Sequence, residues 1–144
     1  DLHYPLRRQR QMCIRDRDGT LLFSHNGYGE MTNIGCGEIP EGRNKIAVTV
    51  TPPDFLHWDV DISLNGTAMA SRKGLLALLA MAPFQGIDVG IDRKSPVNWE
   101  IYEKYRNFPY TGMLEAVRYL PGDLTDFAGS KWIDFLKEEG KRFE

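Results

Sequence analysis

Residues 45–71 read KIAVTVTPPDFLHWDVDISLNGTAMAS, and this stretch decides the fold class. Its first part, Lys45–Thr51, alternates side chains between two faces, and Trp58–Leu64 alternates in the same way. Alternation with a period of two is typical of strands that bury one face. Asn65 and Gly66 follow the second run, and this pair favours a tight hairpin turn because both residues tolerate positive φ. The stretch therefore predicts antiparallel β structure.

Strand-length runs also lie on both sides of this stretch. Residues 20–26 and 31–36 precede it, and residues 84–89 and 112–120 follow it, with glycine or proline between the runs. The run LLALLAMA at 75–82 favours a buried strand or an irregular core segment over a helix because it is short for a helix. About seven or eight short strands with turns between them are typical of a sandwich or a barrel.

The two ends of the chain do not share this pattern. Residues 1–17 show neither helical nor strand periodicity, and Gln11–Arg17 resembles a translated sequencing-adapter sequence of the kind found on metagenomic contigs. Near the other end, Ser130 can cap a helix whose apolar residues recur at helical spacing. We therefore expect a non-native or disordered leader at 1–17, a β-sandwich at 18–122 and a helical tail at 123–144.

Composition and charge narrow the class of protein. A chain of 144 residues suits one domain, and 42% hydrophobic with 26% charged residues is ordinary for a globular protein. Residues 1–17 carry five arginines against two aspartates, whereas the remainder carries 13 basic and 18 acidic residues. This mildly acidic body argues against a nucleic-acid partner. The longest apolar run, Leu75–Ala82, is too short to cross a bilayer, and the two cysteines, Cys13 and Cys36, do not indicate a disulfide scaffold.

Several groups of residues could carry chemistry, but each has a structural explanation that we prefer. They are four aspartates that could bind calcium (Asp59, Asp61, Asp88 and Asp92), a carboxylate pair (Glu100 and Glu103) and the dipeptide Ser24-His25. Asp59 and Asp61 fall on the outward face of a patterned strand, where water solvates the charge. The two glutamates are explained as exposed charges on a short helical turn, and the three histidines share no ligand spacing. We therefore predict no catalytic residue and no metal ligand.

Aromatic side chains are concentrated in Ile87–Gly112, which reads IDVGIDRKSPVNWEIYEKYRNFPYTG. The five of them are Trp99, Tyr102, Tyr105, Phe108 and Tyr110. Such a group can fill a core, stack on sugars or dock on a partner, because Tyr and Trp combine apolar area with a polar group. Glycines and prolines along the stretch would place tight corners. We expect a corner-forming connection between strands, with these five residues as candidates for contact with another domain or a ligand.

Six motifs, taken in order, resemble the C-terminal part of bacterial arylsulfatases. They are Asp18-Gly-Thr-Leu-Leu-Phe, Ile39-Pro-Glu-Gly, Leu64-Asn-Gly, Met81-Ala-Pro-Phe, Gly86-Ile-Asp-Val-Gly-Ile-Asp-Arg-Lys-Ser-Pro-Val and Phe108-Pro-Tyr-Thr-Gly. The resemblance covers about residues 18–143, and the last two motifs together are its most specific part. It implies a mainly β fold, a jelly-roll-like antiparallel β-sandwich truncated at its N-terminal side, to which the sequence pattern adds a C-terminal helix.

The resemblance also implies how the parent protein works. Arylsulfatases hydrolyse sulfate esters in an α/β catalytic domain that uses a formylglycine made from Cys and a divalent cation, usually calcium. None of that catalytic set can be carried onto this chain, and Cys13-Ile-Arg-Asp-Arg17 lacks the central Pro of the activation motif Cys-x-Pro-x-Arg. We therefore expect a non-catalytic domain without a cofactor of its own, which packs on a sulfatase catalytic domain of the same polypeptide.

Two other functions remain as alternatives at this point. One is an independent carbohydrate-binding β-sandwich module, because jelly-roll sandwiches often bind glycans, and a weaker one is a small hydrolase. Neither nucleic acid nor a membrane is expected as a partner. The compartment stays open between the cytoplasm and the periplasm of a bacterium.

Overall fold

The computed structural model describes residues 12–17, 19–77, 88–91, 97–106, 109–122, 134, 137–138 and 141, with backbone alone for 12–17. Six strands and one helix lie within these residues. The strands are β1 (Met12–Arg17), β2 (Thr20–Gly27), β3 (Glu30–Glu38), β4 (Ile46–Thr51), β5 (His57–Leu64) and β6 (Thr67–Leu76), and the helix is α1 (Trp99–Tyr105).

The strands form two antiparallel sheets of three consecutive strands each. Sheet A has the order β1-β2-β3 and sheet B the order β4-β5-β6. One hydrophobic core joins the inward side chains of both sheets. Its buried members are Leu21, Phe23 and Cys36 from sheet A and Val60, Ile62 and Leu75 from sheet B. The chain is therefore mainly β with a sandwich-like arrangement, as the alternation predicted.

The hairpin expected at Asn65 and Gly66 is confirmed. Both residues have positive φ, 52° and 85°, and they connect β5 to β6. The Asn65 side chain also accepts a hydrogen bond from the backbone N–H of Lys45 (2.8 Å) and donates one to Asn44 (2.8 Å). The side chain thus ties the turn to the residues that lead into β4, which explains an asparagine at this position.

An irregularity in the pairing of β5 with β6 gives Asp59 a structural role. Trp58 lies opposite Leu75 and Val60 opposite Arg72, so β6 holds one extra residue between these pairs. Gly74, within this bulge, has a φ of 69°, and its N–H donates to the Asp59 carboxylate (3.0 Å). A bulge removes a backbone donor from the strand ladder, and Asp59 supplies the missing acceptor.

Strand β2 is buried on both faces. Phe23 and His25 point toward sheet B, whereas Ser24 and Asn26 point to the opposite side, yet all four are at most 1% exposed. The second face is covered by Val97 and the residue after it, which precede α1. Because this outer face is polar, every polar group on it needs a hydrogen-bond partner.

Residues 12–17 form a strand, although their side chains show no strand periodicity. They pair with β2 in regular antiparallel register, from Met12 opposite His25 to Arg17 opposite Thr20. The expected lack of regular structure in the leader is therefore not observed here. The pairing uses backbone N–H and C=O groups, which any sequence supplies, so the missing alternation did not exclude a strand. The rest of the leader, 1–11, lies outside the described residues.

The prediction of a strand at 112–120 is wrong. These residues belong to neither sheet and are exposed throughout, with Met113 at 88% and Leu120 at 86%. An ion pair between Arg43 and Glu115 (2.5 Å) links the segment to the residues before β4. Alternation predicts that a segment can form a strand, but the strand itself requires a free neighbouring edge, and alternation carries no information about that edge.

Two further expectations fall largely outside the described residues. Of the run 75–82, Leu75 and Leu76 extend β6 and Leu75 is buried, while 78–82 are not described. In the expected C-terminal helix, residues 134, 137 and 138 are helical, and the capping and apolar positions lie outside the described part. No helix among the described residues has the length and apolarity that a membrane crossing needs.

Candidate functional site

Helix α1 begins at a buried asparagine. Asn98 is 1% exposed, and its Oδ1 accepts a hydrogen bond from the Ile101 backbone N–H (3.1 Å), which caps the first turn. Its Nδ2 donates to Ser24 Oγ on β2 (2.9 Å) and to Asn33 Oδ1 on β3 (2.8 Å). Ser24 Oγ in turn donates to Asn33 Oδ1 (2.7 Å). We call Asn98, Ser24 and Asn33 the Asn98 anchor, because they fix the start of α1 to sheet A.

A second attachment lies one residue earlier. Asn26, the next outward residue of β2 after Ser24, donates from Nδ2 to the carbonyl of Val97 (3.2 Å). Its Oδ1 accepts a hydrogen bond from the backbone N–H of Gly29 (2.7 Å) in the β2–β3 turn, so both the nitrogen and the oxygen of the side-chain amide are hydrogen-bonded. Two successive outward residues of β2 therefore hold two successive residues at the entry of α1.

The helix presents aromatic rings without burying any of them completely. None of its residues is fully buried, and Trp99, Tyr102 and Tyr105 are half-buried. Trp99 and Tyr102 are one turn apart and lie edge to face, with ring centroids separated by 5.7 Å and planes at 85°. We call these three residues the α1 aromatic surface. It is held at a fixed place on sheet A by the Asn98 anchor.

Cationic side chains border this surface. The Lys104 ammonium lies 5.2 Å from the centroid of the Tyr105 ring, and the Arg106 guanidinium lies 5.6 Å from that of Tyr102. Both cations are exposed, so each contact is worth roughly 0.5–1 kcal/mol. Arg106 also ends the helix at a φ of 57°, and its N–H donates to the Tyr102 carbonyl (2.8 Å). Aromatic rings with a polar rim are common at protein interfaces.

Tyr110 belongs to a neighbouring turn of chain. Ile91 and Pro109 form an isolated antiparallel bridge, and the Tyr110 N–H donates to the Gly90 carbonyl (2.6 Å). The two ends of the aromatic-rich stretch thus meet, but the expected connection between two strands is not observed, because residues 112–120 form no strand. Tyr110 is 43% exposed and its ring lies over Gly112, where a Cβ would collide with it. Phe108 lies outside the described residues.

In the described part of the chain, the groups that could have carried other chemistry do not form a common site. Asp59 accepts a hydrogen bond from the Gly74 N–H in the β6 bulge, Asp61 is exposed, and Asp92 is not described. The described residues include no cluster of three or more His, Cys, Asp or Glu side chains that could hold a metal ion. Glu100 lies exposed in the first turn of α1, where the helix dipole favours a carboxylate.

Two shallow depressions open on the sheet surfaces, with volumes of about 310 and 560 Å³. One is lined by residues of β4, β5 and β6, and the other by residues of β3 and β6. None of the described aromatic candidates, Trp99, Tyr102, Tyr105 and Tyr110, lines either of them.

His25 is a buried titratable residue that the sequence pattern indicated only as a neighbour of Ser24. Its ring is 1% exposed and packs edge-on against Trp58, with centroids 6.3 Å apart. Its Nε2 is buried and has no hydrogen-bond partner among the described groups. Burial lowers the pKa of His25 below its ordinary value of 6.5, and a hydrogen bond with the Leu76 backbone offsets part of this effect. The imidazole is therefore neutral in the folded chain at pH 7.

We expect the free energy of unfolding to fall in mild acid because of His25. The unfolded chain binds a proton at about pH 6.5, whereas the folded chain binds one only at lower pH. Stability is thus complete above pH 6.5, falls as the pH decreases toward the folded-state pKa, and is constant below it. Urea denaturation at pH 7.5, 6.0 and 5.0 measures this slope.

Substitution of His25 tests whether this residue causes the pH dependence of the free energy of unfolding. His25→Gln should flatten it. His57, at the surface and paired with Asp54 (2.9 Å), stays in place in this variant, so any contribution from it is the same in both proteins. The hydrogen bond from His57 holds the pKa of Asp54 below its ordinary 3.8, outside this pH range. A slope that survives in His25→Gln would contradict the assignment.

The Asn98 anchor was not predicted from the sequence. An N-cap signal was present, since Asn98 directly precedes an aromatic-rich run with Glu100 in its first turn. The partners Ser24 and Asn33 are far from it in the chain and carried no signal. Comparison of the chain with protein-family models, with curated proteins and with solved structures returned no match.

Proposed function

We propose that this chain is the C-terminal, non-catalytic β-sandwich domain of an arylsulfatase-like sulfuric ester hydrolase. In this proposal it packs on the sulfatase catalytic domain of the same polypeptide through the α1 aromatic surface. The family part of the proposal is supported by the six ordered motifs between Asp18 and Gly112. The mainly β sandwich-like fold agrees with the domain that the resemblance implies.

The α1 aromatic surface is the observation that supports docking. Trp99, Tyr102 and Tyr105 lie on a helix with no fully buried residue, yet the helix start is fixed by the buried Asn98. Ordered aromatic side chains lose little conformational entropy on binding, and Trp and Tyr often dominate interface energies. This arrangement supports docking on a protein partner, and the cofactors of the reaction, formylglycine and a divalent cation, belong to that partner in the proposal.

Docking can be tested with the catalytic domain encoded upstream in the same reading frame. That frame should contain Cys-x-Pro-x-Arg or Ser-x-Pro-x-Arg several hundred residues before Asp18. Calorimetric titration of the chain with the purified catalytic domain should show saturable binding. The double variant Trp99→Ala/Tyr102→Ala should weaken it by at least about tenfold, since a hot-spot residue contributes about 2 kcal/mol or more.

Tyr119→Ala is the matched control, because Tyr119 is 79% exposed and lies outside α1. It should bind like the parent chain. An upstream reading frame without the motif would refute the family assignment. Equal weakening of binding by Trp99→Ala/Tyr102→Ala and by Tyr119→Ala would refute docking through the α1 aromatic surface. Binding of simple or sulfated sugars that Trp99→Ala abolishes would favour the carbohydrate-binding module instead. Hydrolysis of an aryl sulfate by the pure chain would show that it is itself an enzyme.

A further inference from the structure

His25 lies on β2 between Ser24 and Asn26, and all three residues are buried. His25 Nε2 is buried without a partner, and in the described part of the chain no carboxylate pairs with the ring. The groups packed against the ring are Trp58 on β5 and the end of β6 at Leu76. Among the described residues, a proton added at this buried place finds no counter-charge, and a buried unpaired charge is strongly unfavourable.

Within the described side chains, the surrounding strands offer no alternative partner. The register places Met12 of β1 and Thr32 of β3 beside His25, and neither titrates. The nearest charged groups on β5 and on the loop before it are engaged elsewhere. His57 pairs with Asp54 at the surface, and Asp59 accepts from the Gly74 N–H. A protonated His25 can thus be accommodated only if β2 moves and the ring reaches water.

Such a movement would be transmitted directly to the entry of α1. Ser24 and Asn26 flank His25 in sequence, and their side chains leave the opposite face of β2. Ser24 accepts from Asn98 (2.9 Å), and Asn26 donates to the Val97 carbonyl (3.2 Å). Because hydrogen bonds weaken steeply once the distance or angle departs from its optimum, a shift of β2 by about an ångström would break both attachments.

We propose that His25 is an acid-sensitive latch: its protonation releases the Asn98 anchor, so that α1 and its aromatic surface lose their fixed position while the core stays folded. Release of the Asn98 anchor by protonation of His25 involves this chain alone. Its consequence, an acid-dependent loss of docking, rests on the proposed function. The latch and the docking can fail separately, because the release of the anchor is measured without any partner.

The test is an NMR titration of the isotope-labelled chain from pH 7.5 to 4.5. The His25 ring signals give the midpoint of its protonation. The Asn98 side-chain amide and the Trp99 indole should change with the same midpoint, and the Val60 and Ile62 backbone amides, from the buried core, should keep their native shifts. In His25→Gln the Asn98 and Trp99 signals should no longer move in this range, whereas in His57→Gln they should move as in the parent chain.

Three results would overturn the latch. The Asn98 and Trp99 signals could stay constant while His25 titrates, or they could still move in His25→Gln. The core amides could also lose their native shifts at the same midpoint, in which case His25 governs global unfolding only. If His25→Gln does not fold, the coincidence of midpoints in the parent chain decides the question alone.

Discussion

Replacement of Phe23 by alanine is expected to lower the free energy of unfolding by about 3–5 kcal/mol. Phe23 lies on β2, the central strand of sheet A, and its side chain is 1% exposed in the core with Val60 and Ile62 of sheet B. The substitution removes a ring that contacts both sheets and leaves a cavity that a two-sheet core closes only partly. A loss of this size is a large fraction of the total stability of a small domain.

Urea denaturation followed by circular dichroism measures this effect. Leu22→Ala is the matched control, since Leu22 is the neighbouring residue on the opposite face and is only half-buried; it should cost about 1 kcal/mol or less. If Phe23→Ala does not fold, Phe23→Leu should give an intermediate loss at a measurable midpoint. Equal losses for Phe23→Ala and Leu22→Ala would contradict the assignment of the core to the inward face of β2.

Asn98→Ala should give the second largest loss, about 2–4 kcal/mol. The side chain caps α1, and it also donates two hydrogen bonds, one to the buried Ser24 and one to Asn33 at an exposed position of β3. Its removal therefore costs an N-cap, about 1 kcal/mol, and removes both donated hydrogen bonds, one of them to the buried Ser24 hydroxyl, which costs a further 1–3 kcal/mol or so. The α1 aromatic surface should also lose order, measured as increased quenching of Trp99 fluorescence by acrylamide in a Trp58→Phe/Trp132→Phe background.

Two variants separate the contributions at this position. Asn98→Asp retains an acceptor for the Ile101 N–H but loses both donors and brings a carboxylate toward the Asn33 oxygen. It should therefore be nearly as unstable as Asn98→Ala. Asn44→Ala is the control for loss of an asparagine whose hydrogen bonds are at the surface, and it should cost about 1 kcal/mol or less. A stable Asn98→Asp would mean that only the cap matters and that the anchor to sheet A does not.

The alternation of residues within each strand was sufficient to predict much of sheet B. The inward residues of β5, Val60 and Ile62, are buried as the pattern indicated, and Asn65-Gly66 forms the turn that its positive φ values require. These features are local, since they depend on the period of the side chains and on the backbone freedom of single residues. Strand alternation therefore predicted both the antiparallel sheet and its core face.

The outer face of β2 could not be predicted in the same way. Ser24 and Asn26 look like the solvent-facing residues of an ordinary half-buried strand, yet they are fully buried by a segment that lies more than 70 positions later in the chain. Conversely, residues 112–120 alternate like a strand and are exposed, since no described edge pairs with them. In both cases the outcome depends on which distant segment covers a surface.

The sequence by itself determined the antiparallel β character, the hairpin at Asn65-Gly66 and the presence of an aromatic group between Trp99 and Tyr110. Only the tertiary structure decided that α1 is fixed to β2 and β3 through Asn98, that β1 adds a third strand to sheet A, and that the Nε2 atom of His25 is buried without a hydrogen-bond partner. The physical reason is that periodicity and turn chemistry act between neighbours in the chain. Burial of a polar group and its hydrogen bonds depend on contacts between residues far apart in sequence.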